Sequence, residues 1–553
     1  MVPKMSGARF IAETLHAYGI THVFYMEAIL RRTLVELEKL GIKGILNHSE
    51  KAAAYMADGY ARAGLRPAVC MAQSVGAANL AAGLQDSCLG HSPVLAFTGR
   101  KPPSHQYRNA YQEIPHYVMF DAVTKYNVEV YNLEQLPHLL AQAFREATTG
   151  TPGPVHIDFL GYEGNFTDEA EAELTPFCEQ EFTCIPARRF HPNRSEINAA
   201  IQALEQAERP ALVVGRGALV SGAGAEVKKL AETLNIPVAV SMDAKGIIPD
   251  DHPLNVGPIG TYCRPSANKV VAEADLVFFI GCNTGDQVTK DWTLPLPDTR
   301  IIQLDINPVE LGRNYRGTIS MLGDARTALR DLNKELHKSR KNESWNQQTR
   351  RYVQEYLEQV EPQCSADSVP IRPERLCREI SAILPRDAIV FADTGFSAIW
   401  AGSLIDLVSP DQLFLRASGS LGWAFPASLG GKCALPQRPV LCFTGDGGFW
   451  YHISELETAV RWNIPTVTII SNNSVLGQSQ LGVRRAYRGE VGKEVDQYRF
   501  NNTDFARLAA DMGAFGLKVE RPDDIRSALL EALASGKPAV IDVVTEAESF
   551  PLL

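Results

Sequence analysis

Buried strands and amphipathic helices alternate along this chain. Short apolar runs, among them residues 68–71, 211–214 and 440–443, predict strands that are covered on both faces. Between such runs, apolar residues return every three or four positions, as in residues 8–17, which predicts helices with one face packed on a sheet. Because strands and helices alternate regularly, we predict an α/β protein with doubly wound parallel sheets.

Two polar stretches interrupt this alternation. Residues 167–181 crowd acidic side chains with few apolar anchors, and residues 334–363 are polar with helical spacing. A chain of 553 residues is also too long for a single hydrophobic core. We therefore predict three doubly wound parallel-sheet domains, which span residues 1–166, 186–333 and 368–553.

The charge and composition of the chain argue against several classes of protein. A net charge of -10 without a basic tract disfavours binding to nucleic acid or to an anionic membrane surface. No stretch approaches the ~18 apolar residues of a membrane span, and residues 1–9 lack the apolar run of a secretory signal. The ten cysteines form no Cys-x-x-Cys pair, which is typical of reduced core thiols. We expect a soluble, cytoplasmic protein that binds neither nucleic acid nor membrane.

Oxygen ligands and glycines follow two consecutive predicted strands of the third domain. Gly445-Asp446-Gly447-Gly448 follows the strand at residues 438–443, and Asn472-Asn473 follows the strand at 466–470, with a predicted helix at 451–462 between them. Open α/β sheets bind ligands at the carboxyl ends of such strands, so we expect the two motifs to converge. Carboxylate and amide oxygens suit Mg²⁺, and glycines let a diphosphate approach the backbone. Either motif alone is usually a turn, whereas the combination predicts a metal–diphosphate site.

This combination, with Glu455-Leu456-Glu457-Thr458-Ala459 on the intervening helix, resembles the signature of thiamine diphosphate (ThDP) enzymes. The resemblance implies ThDP and Mg²⁺ as cofactors, with Asp446, Asn473 and the backbone carbonyl of Val475 as metal ligands. It extends over nearly the whole chain to the acetolactate synthase and benzoylformate decarboxylase branch, whose domains bind the pyrimidine, serve as a middle domain and bind the diphosphate. The third-domain residues expected to contact the cofactor are Asp393, Thr394, Gly395, Gly419, Leu421, Gly445, Asp446, Gly447, Gly448, Asn473, Val475, Leu476 and Gly477.

The segment Asn47-His48-Ser49-Glu50-Lys51-Ala52-Ala53 resembles the one in which this family places its activating glutamate. By this resemblance Glu50 is the catalytic residue that shares a proton with the aminopyrimidine ring of the cofactor. Leu421 is then the bulky residue that holds the cofactor in a bent conformation. From the residues alone, Glu50 is also readily interpreted as the solvated first residue of a helix, because Ser49 is a good N-cap.

Segments expected near the substrate depart from the usual family pattern. Residues 25–29 read Tyr-Met-Glu-Ala-Ile where many acetolactate synthases read Gly-x-Pro-Gly-Gly, so Tyr25 and Glu27 would narrow the pocket or make it more polar. Gln73 lies in a second altered loop. Gln112 is retained and is predicted to be a catalytic residue that binds a carboxylate or a carbonyl. Further substrate-pocket residues are predicted at Trp400 and Gln478.

The middle domain resembles the one that binds FAD in acetolactate synthases, through Gly215-Arg216-Gly217 and Asp305-Ile306-Asn307-Pro308. The synthases' Arg-Phe-Asp-Asp-Arg segment reads Asn283-Thr284-Gly285-Asp286-Gln287 here and lacks both arginines. Guanidinium groups are the strongest phosphate clamps, so their loss argues against FAD or another nucleotide. We interpret the glycine turn as structural.

Together these features predict a ThDP- and Mg²⁺-dependent enzyme that decarboxylates a 2-keto acid and transfers the acyl carbanion to a second carbonyl, that of an aldehyde or a keto acid. This is an acetolactate synthase-like carboligase. A non-ligating decarboxylase of the benzoylformate decarboxylase type is the alternative, and a ThDP-binding protein without catalysis is a third hypothesis. The resemblance also implies a homodimer as the minimal unit and a homotetramer as the assembly, with Glu50 and Asp446 of one site supplied by different chains.

Overall fold

The computed structural model describes residues 4–27, 29–161, 164–337 and 342–553. Residues 1–3, 28 and 162–163 of the predicted first domain, and residues 338–341 of the second polar stretch, lie outside the described residues. Within the described part, three six-stranded parallel sheets flanked by helices follow one another along the chain. They confirm the prediction of three doubly wound α/β domains. No helix in these described ranges is both long and apolar enough to cross a membrane.

The first domain carries the first parallel sheet and a small antiparallel pair. Its strands are β1 (Lys4–Ser6), β2 (His22–Tyr25), β3 (Lys43–Leu46), β4 (Ala68–Gln73), β5 (Val94–Arg100), β6 (Tyr126–Val130), β7 (Val155–Leu160) and β8 (Glu171–Glu173). Its helices are α1 (Gly7–Ala17), α2 (Arg31–Lys39), α3 (Glu50–Gly64), α4 (Gly76–Leu89), α5 (His116–Asp121), α6 (Leu136–Thr148) and α7 (Asn165–Glu169). The parallel sheet has the order β3-β2-β4-β5-β7-β6, and β1 pairs with β8.

The middle domain carries the second sheet. Its strands are β9 (Pro210–Val214), β10 (Val238–Val240), β11 (Asn255–Pro258), β12 (Leu276–Ile280), β13 (Arg300–Asp305) and β14 (Ile319–Leu322). Its helices are α8 (Arg194–Gln206), α9 (Arg216–Val220), α10 (Gly224–Leu234), α11 (Pro265–Glu273), α12 (Asp286–Thr289) and α13 (Ala325–Glu335). The order β11-β10-β9-β12-β13-β14 places a topological switch point between β9 and β12.

The third domain follows the long helix α14 (Glu343–Cys364). Its strands are β15 (Ile389–Ala392), β16 (Leu413–Arg416), β17 (Val440–Gly445), β18 (Val467–Asn472), β19 (Phe515–Val519) and β20 (Ala539–Val544). Its helices are α15 (Pro373–Ile383), α16 (Phe396–Leu404), α17 (Ala424–Ala434), α18 (Asp446–Trp450), α19 (Glu455–Arg461), α20 (Gly477–Tyr487), α21 (Phe505–Asp511) and α22 (Ile525–Ala534). The order β16-β15-β17-β18-β20-β19 places a switch point between β15 and β17.

The structure departs from the sequence-based expectations in two places. The helix predicted at residues 451–462 is found only at 455–461, as α19, because residues 451–454 form turns, and a separate short helix, α18, begins directly after β17. The acidic stretch at 167–181 contains regular structure as well, since β8 pairs with β1 and ties the end of the first domain to its beginning.

The first and third domains pack through two glycine-containing helices, α3 and α17. A Cβ atom on Gly59 of α3 would lie 1.9 Å from the carbonyl oxygen of Ala427, and one on Gly430 of α17 would lie 1.8 Å from that of Met56. Only glycine permits such close backbone approach. The helix that begins at Glu50 therefore lies directly against the helix that follows the Leu421 loop.

Candidate active site

A cavity of about 230 Å³ lies outside the carboxyl ends of β15, β17 and β18. Strand ends at a switch point are where open α/β sheets bind ligands. Every third-domain residue that the sequence predicted to contact the cofactor lines this cavity, and so do the predicted substrate residues Trp400 and Gln478. The additional lining residues are Phe396, Ser397, Ser471 and Ser479. The fold thus brings together segments that are far apart in the sequence.

Asp446 is one of two buried carboxylates that line this cavity. It is the first residue of α18, directly after β17, and is only 3% exposed. Burial raises the pKa of Asp446 to about 7, against the opposing effect of backbone hydrogen bonds, chiefly from Gly447. A bound divalent cation would favour the ionised carboxylate, so the group is suited to hold one.

Asn473 and Val475 lie in the turn after β18. The Asn473 side chain accepts a hydrogen bond from the Val475 amide over 3.1 Å, and Ser474 between them has a φ of 60°. The neighbouring Asn472 has a different role, because its side-chain amide donates to the Thr503 carbonyl and to Asp542. Of the two asparagines, only Asn473 lines the cavity.

The glycines of the cavity keep its walls close together. A Cβ atom on Gly447 would come within 2.6 Å of a Leu476 methyl group, and one on Gly477 within 2.7 Å of the Phe396 ring. Gly395 and Gly419 have φ values of 75° and 146°, which disfavour other residues. Glycine is therefore required at these positions, where the backbone packs closely against neighbouring side chains or takes a positive φ.

Asp393 is the second buried carboxylate that lines the cavity. It follows β15, is almost fully buried, and accepts hydrogen bonds from the amides of Thr394, Gly422 and Ala424. Burial raises its pKa to about 6, while these amides oppose the shift. With its oxygens engaged in this way, the carboxylate orders the loop that carries Leu421.

Glu50 lies in the first domain, outside the third-domain cavity. It is half-buried at the start of α3, where the Ser49 side chain caps the helix, and it does not line the third-domain cavity. The Asn79 side-chain amide donates a hydrogen bond to its carboxylate. Within one chain the predicted catalytic glutamate and the predicted metal ligands therefore occupy different places.

The other predicted residues of the first domain share the carboxyl edge of its sheet with Glu50. Tyr25 ends β2, Gln73 ends β4, and Gln112 lies in the segment between β5 and α5. The side-chain oxygens of Gln73 and Gln112 are buried and have no hydrogen-bond partner within the described part of the chain. Glu27 is exposed and pairs with Arg31, at 2.6 Å.

A second cavity, of about 250 Å³, adjoins the first. The two share Thr394, Gly395, Gly419 and Gln478. Sequence reasoning missed the residues that line its other side, because they come from the middle domain and from β16, and no local motif marks them. They are Met242, Asp243, Ile259, Tyr262, Cys263, Gln287, Val288 and Arg416.

Another cavity, of about 380 Å³, lies at the switch point between β9 and β12 of the middle domain, and residues of the first and third domains, such as His91 and Arg416, line it as well. Gly215, Arg216, Asp286 and Asp305 are among its lining residues. Two guanidinium nitrogens of Arg216 are buried without a hydrogen-bond partner in the described ranges. Burial, with the charge of Arg62, lowers the pKa of Arg216 to about 10.

Comparison with known proteins agrees with this architecture. The N-terminal TPP binding domain of thiamine pyrophosphate enzymes matches residues 5–120, their central domain matches 197–332, and their C-terminal TPP binding domain matches 393–543. The chain is 33% identical to the "Probable acetolactate synthase large subunit" of Methanocaldococcus jannaschii, over 99% of this chain and 93% of the relative. It is 31% identical to the acetolactate synthase of Arthrospira platensis (98% and 94% covered) and 29% identical to the isozyme 2 large subunit of Escherichia coli (98% and 95%).

Proposed function

Since this chain belongs to the thiamine pyrophosphate enzymes and acts on 2-keto acids with ThDP, we propose that it is an acetolactate synthase-like carboligase. It would remove CO₂ from one 2-keto acid and transfer the remaining acyl unit to the carbonyl of a second molecule. The observation that carries this proposal is the third-domain cavity, into which the cofactor residues of the family pattern converge.

Mg²⁺ and the diphosphate of ThDP fit the residues of this cavity. Asp446 offers a buried carboxylate, and Asn473 and the carbonyl of Val475 complete a set of oxygen ligands of the kind Mg²⁺ prefers. Glycines in this cavity would also let the phosphates approach the backbone closely. When bound, ThDP supplies the electron sink for loss of CO₂. The protein residues would supply orientation: Leu421 would support the bent cofactor, and Asp446 and Asn473 would hold its diphosphate through the metal.

Glu50 would hold a proton for the pyrimidine ring of the cofactor. Asn79 donates a hydrogen bond to one oxygen of its carboxylate, and the other oxygen lies beside Gly76. Because Glu50 does not line the cavity of its own chain, we propose a homodimer in which each Glu50 completes the cavity of the partner subunit. A homotetramer would consist of two such dimers.

The substrates are proposed to be small 2-keto acids, with a keto acid or an aldehyde as acceptor. The similarity to acetolactate synthases supports this class of substrates. Gln112 is the candidate to bind a carboxylate or carbonyl, because its side-chain oxygen lacks a partner in the described chain. Tyr25 and Gln73 lie at neighbouring strand ends and would shape the same face of the pocket.

The middle-domain cavity does not favour FAD. Asn283 and Gln287 line it in place of the two arginines of the family pattern, and Asp286 and Asp305 are among the carboxylates that line it. Arg216 is the one guanidinium there without an ion pair among the described residues. We propose that the enzyme works without a flavin. The visible absorption spectrum of the purified protein tests this, since bound flavin would contradict it.

The function itself is tested by substrate and product analysis. The purified protein, with ThDP and Mg²⁺, is given a panel of small 2-keto acids, and CO₂ release and products are measured. Ligated hydroxyketone products would support the carboligase. Aldehydes alone would favour the decarboxylase, and no CO₂ from any substrate would favour a ThDP-binding protein without catalysis. We propose the cytoplasm as its compartment, because all ten cysteines are free thiols.

A further inference from the structure

The loop that carries Leu421 is held by two buried aspartates. It connects β16 to α17, and alternate backbone amides along it donate to two carboxylates. The Ser418 and Ser420 amides donate to Asp86, over 2.9 and 3.1 Å. The Gly422 and Ala424 amides donate to Asp393, over 3.0 and 3.3 Å. Leu421 therefore lies between two anchored segments.

The first anchor, Asp86, belongs to a different domain. It lies on α4 of the first domain, is 0% exposed, and pairs with the Arg62 guanidinium of α3 at 3.0 Å. Arg62 also donates to the carbonyl of Arg416, where the loop begins. At the other end of the loop, the Trp423 indole donates to Asp58, which also accepts from Arg62. The first domain thus holds both ends of a third-domain loop.

The arrangement fixes the loop with charged acceptors rather than with apolar packing alone. Hydrogen bonds to an ionised carboxylate are about twice as strong as neutral ones. Gly419 and Gly422, on either side of Leu421, have positive φ values of 146° and 82° that other residues would resist. The glycines allow the backbone to bend there, and the hydrogen bonds to Asp86 and Asp393 fix its position.

We propose that Asp86 is a positioning residue, which sets the height of Leu421 beneath the cofactor and so the approach of the cofactor's two rings. The inference rests on the proposed function, because it takes the role of Leu421 from it. A misplacement of about 1 Å in such a site costs on the order of 10²-fold in rate. The alternative is that Asp86 only joins two domains, in which case its loss would lower stability and nothing else.

The test uses the full-length enzyme with saturating ThDP and Mg²⁺. Exchange of the thiazolium C2 proton with deuterated water is followed by acid quench and NMR, and cofactor affinity and the unfolding midpoint are measured beside it. Asp86→Asn keeps the size of the side chain but weakens its hydrogen bonds to the Ser418 and Ser420 amides. We expect exchange to slow about ten- to a hundred-fold, with cofactor affinity nearly unchanged because Asp446 and Asn473 are untouched.

The matched control is Asp168→Asn. Asp168 is also a buried aspartate of the first domain, 3% exposed, and it accepts from the amides of Arg32 and Thr33 at the start of α2 in the same domain. It should lose stability without slower exchange. If Asp86→Asn fails to fold, Asp86→Glu replaces it, since glutamate keeps the charge beside Arg62 but its extra methylene moves the carboxylate relative to the Ser418 and Ser420 amides.

Leu421→Ala distinguishes the proposed role of Leu421 from the proposed role of Asp86. Unchanged exchange in Leu421→Ala would contradict the role of Leu421 in the proposed function, and with it this inference. Slow exchange in Leu421→Ala beside normal exchange in Asp86→Asn, or in its substitute Asp86→Glu, would overturn the inference alone. Equal slowing in Asp168→Asn would also overturn it, because the effect would then be general destabilisation.

Discussion

The side-chain amide of Asn79 donates a hydrogen bond to the Glu50 carboxylate over 3.1 Å. Asn79 lies on the first turn of α4 and Glu50 on the first turn of α3, so two helix starts meet at this contact. Gly76, at the beginning of α4, lies against the other carboxylate oxygen. One side of Glu50 is therefore fixed by its own domain, while the rest of its environment remains for a ligand.

Glu50→Gln should abolish most activity while leaving the fold and cofactor affinity intact. Glutamine keeps the shape and the contact to Asn79 but cannot share a proton, and general acid–base groups contribute about 10²- to 10⁴-fold in rate. Turnover is measured at saturating ThDP. Glu13→Gln, on the surface of α1, is the control and should turn over normally. Wild-type turnover in Glu50→Gln would exclude Glu50 as the proton-sharing group.

Gly76→Ala should reduce activity through Glu50. The new Cβ atom would lie 2.5 Å from Glu50 Oε1, so the carboxylate must move, and a flexible side chain does so at little cost to the fold. We expect a drop in kcat of about ten-fold or more with a nearly unchanged unfolding midpoint. A kcat equal to that of the wild type would show that the observed position of Glu50 is not the catalytic one.

Asp446→Ala and Asn473→Ala should weaken cofactor retention, because each removes a proposed metal ligand and leaves the diphosphate charge less well neutralised. Titration of the apo-protein with ThDP and Mg²⁺ should show a loss of affinity of at least about ten-fold. Asn472→Ala is the matched control, since Asn472 bonds Thr503 and Asp542 rather than facing the cavity. It should lower stability and leave affinity largely unchanged. Unchanged affinity in both ligand variants would contradict the metal site.

Local motifs made much of the third-domain cavity predictable. Asp446 and Asn473 directly follow apolar strands, and parallel strands end at the same edge of a sheet. The sequence pattern was therefore enough to predict that the two residues lie at the same edge. Asp86 gave no such signal. It lies within an ordinary helix, and the amides it binds are 332 and 334 residues away, so only the packing of α3 and α4 on the third domain reveals its contacts.

The same limit applies to the second cavity and to helix bounds. Tyr262 and Met242 reach the cavity from the middle domain, and no spacing in the sequence relates them to Gln478. The helix predicted at residues 451–462 is present only at 455–461. Apolar periodicity does not show that Asp446 itself starts a separate short helix directly from the strand.

Asp305→Asn should stabilise the apo-protein more at pH 8 than at pH 4. Burial raises the pKa of Asp305 from 3.8 to about 6, so between these values the folded state binds more protons than the unfolded state. Stability therefore falls as the pH rises towards 6 and stays lower above it, by on the order of 1–3 kcal/mol. Asparagine keeps an acceptor for the Asn307 amide without the charge. Unfolding midpoints at both pH values test this, with the exposed Asp251→Asn as control. An equal effect of Asp305→Asn at the two pH values would contradict it.

Hybrid dimers should recover activity from two inactive variants. Glu50 and Asp446 lie in different places within one chain, and a two-fold symmetric dimer would bring each Glu50 to the partner's cavity. Glu50→Gln and Asp446→Ala proteins are each expected to be inactive. A dimer with one chain of each kind has one site with both residues intact and one site with neither. Mixing the two under conditions that exchange subunits should therefore restore activity in proportion to the hybrid fraction, which native mass spectrometry measures. Mixing each variant with itself gives the baseline. If confirmed hybrids stayed inactive, each site would have to be built within one chain, and the separation of Glu50 from the cavity would require a rearrangement of the domains instead.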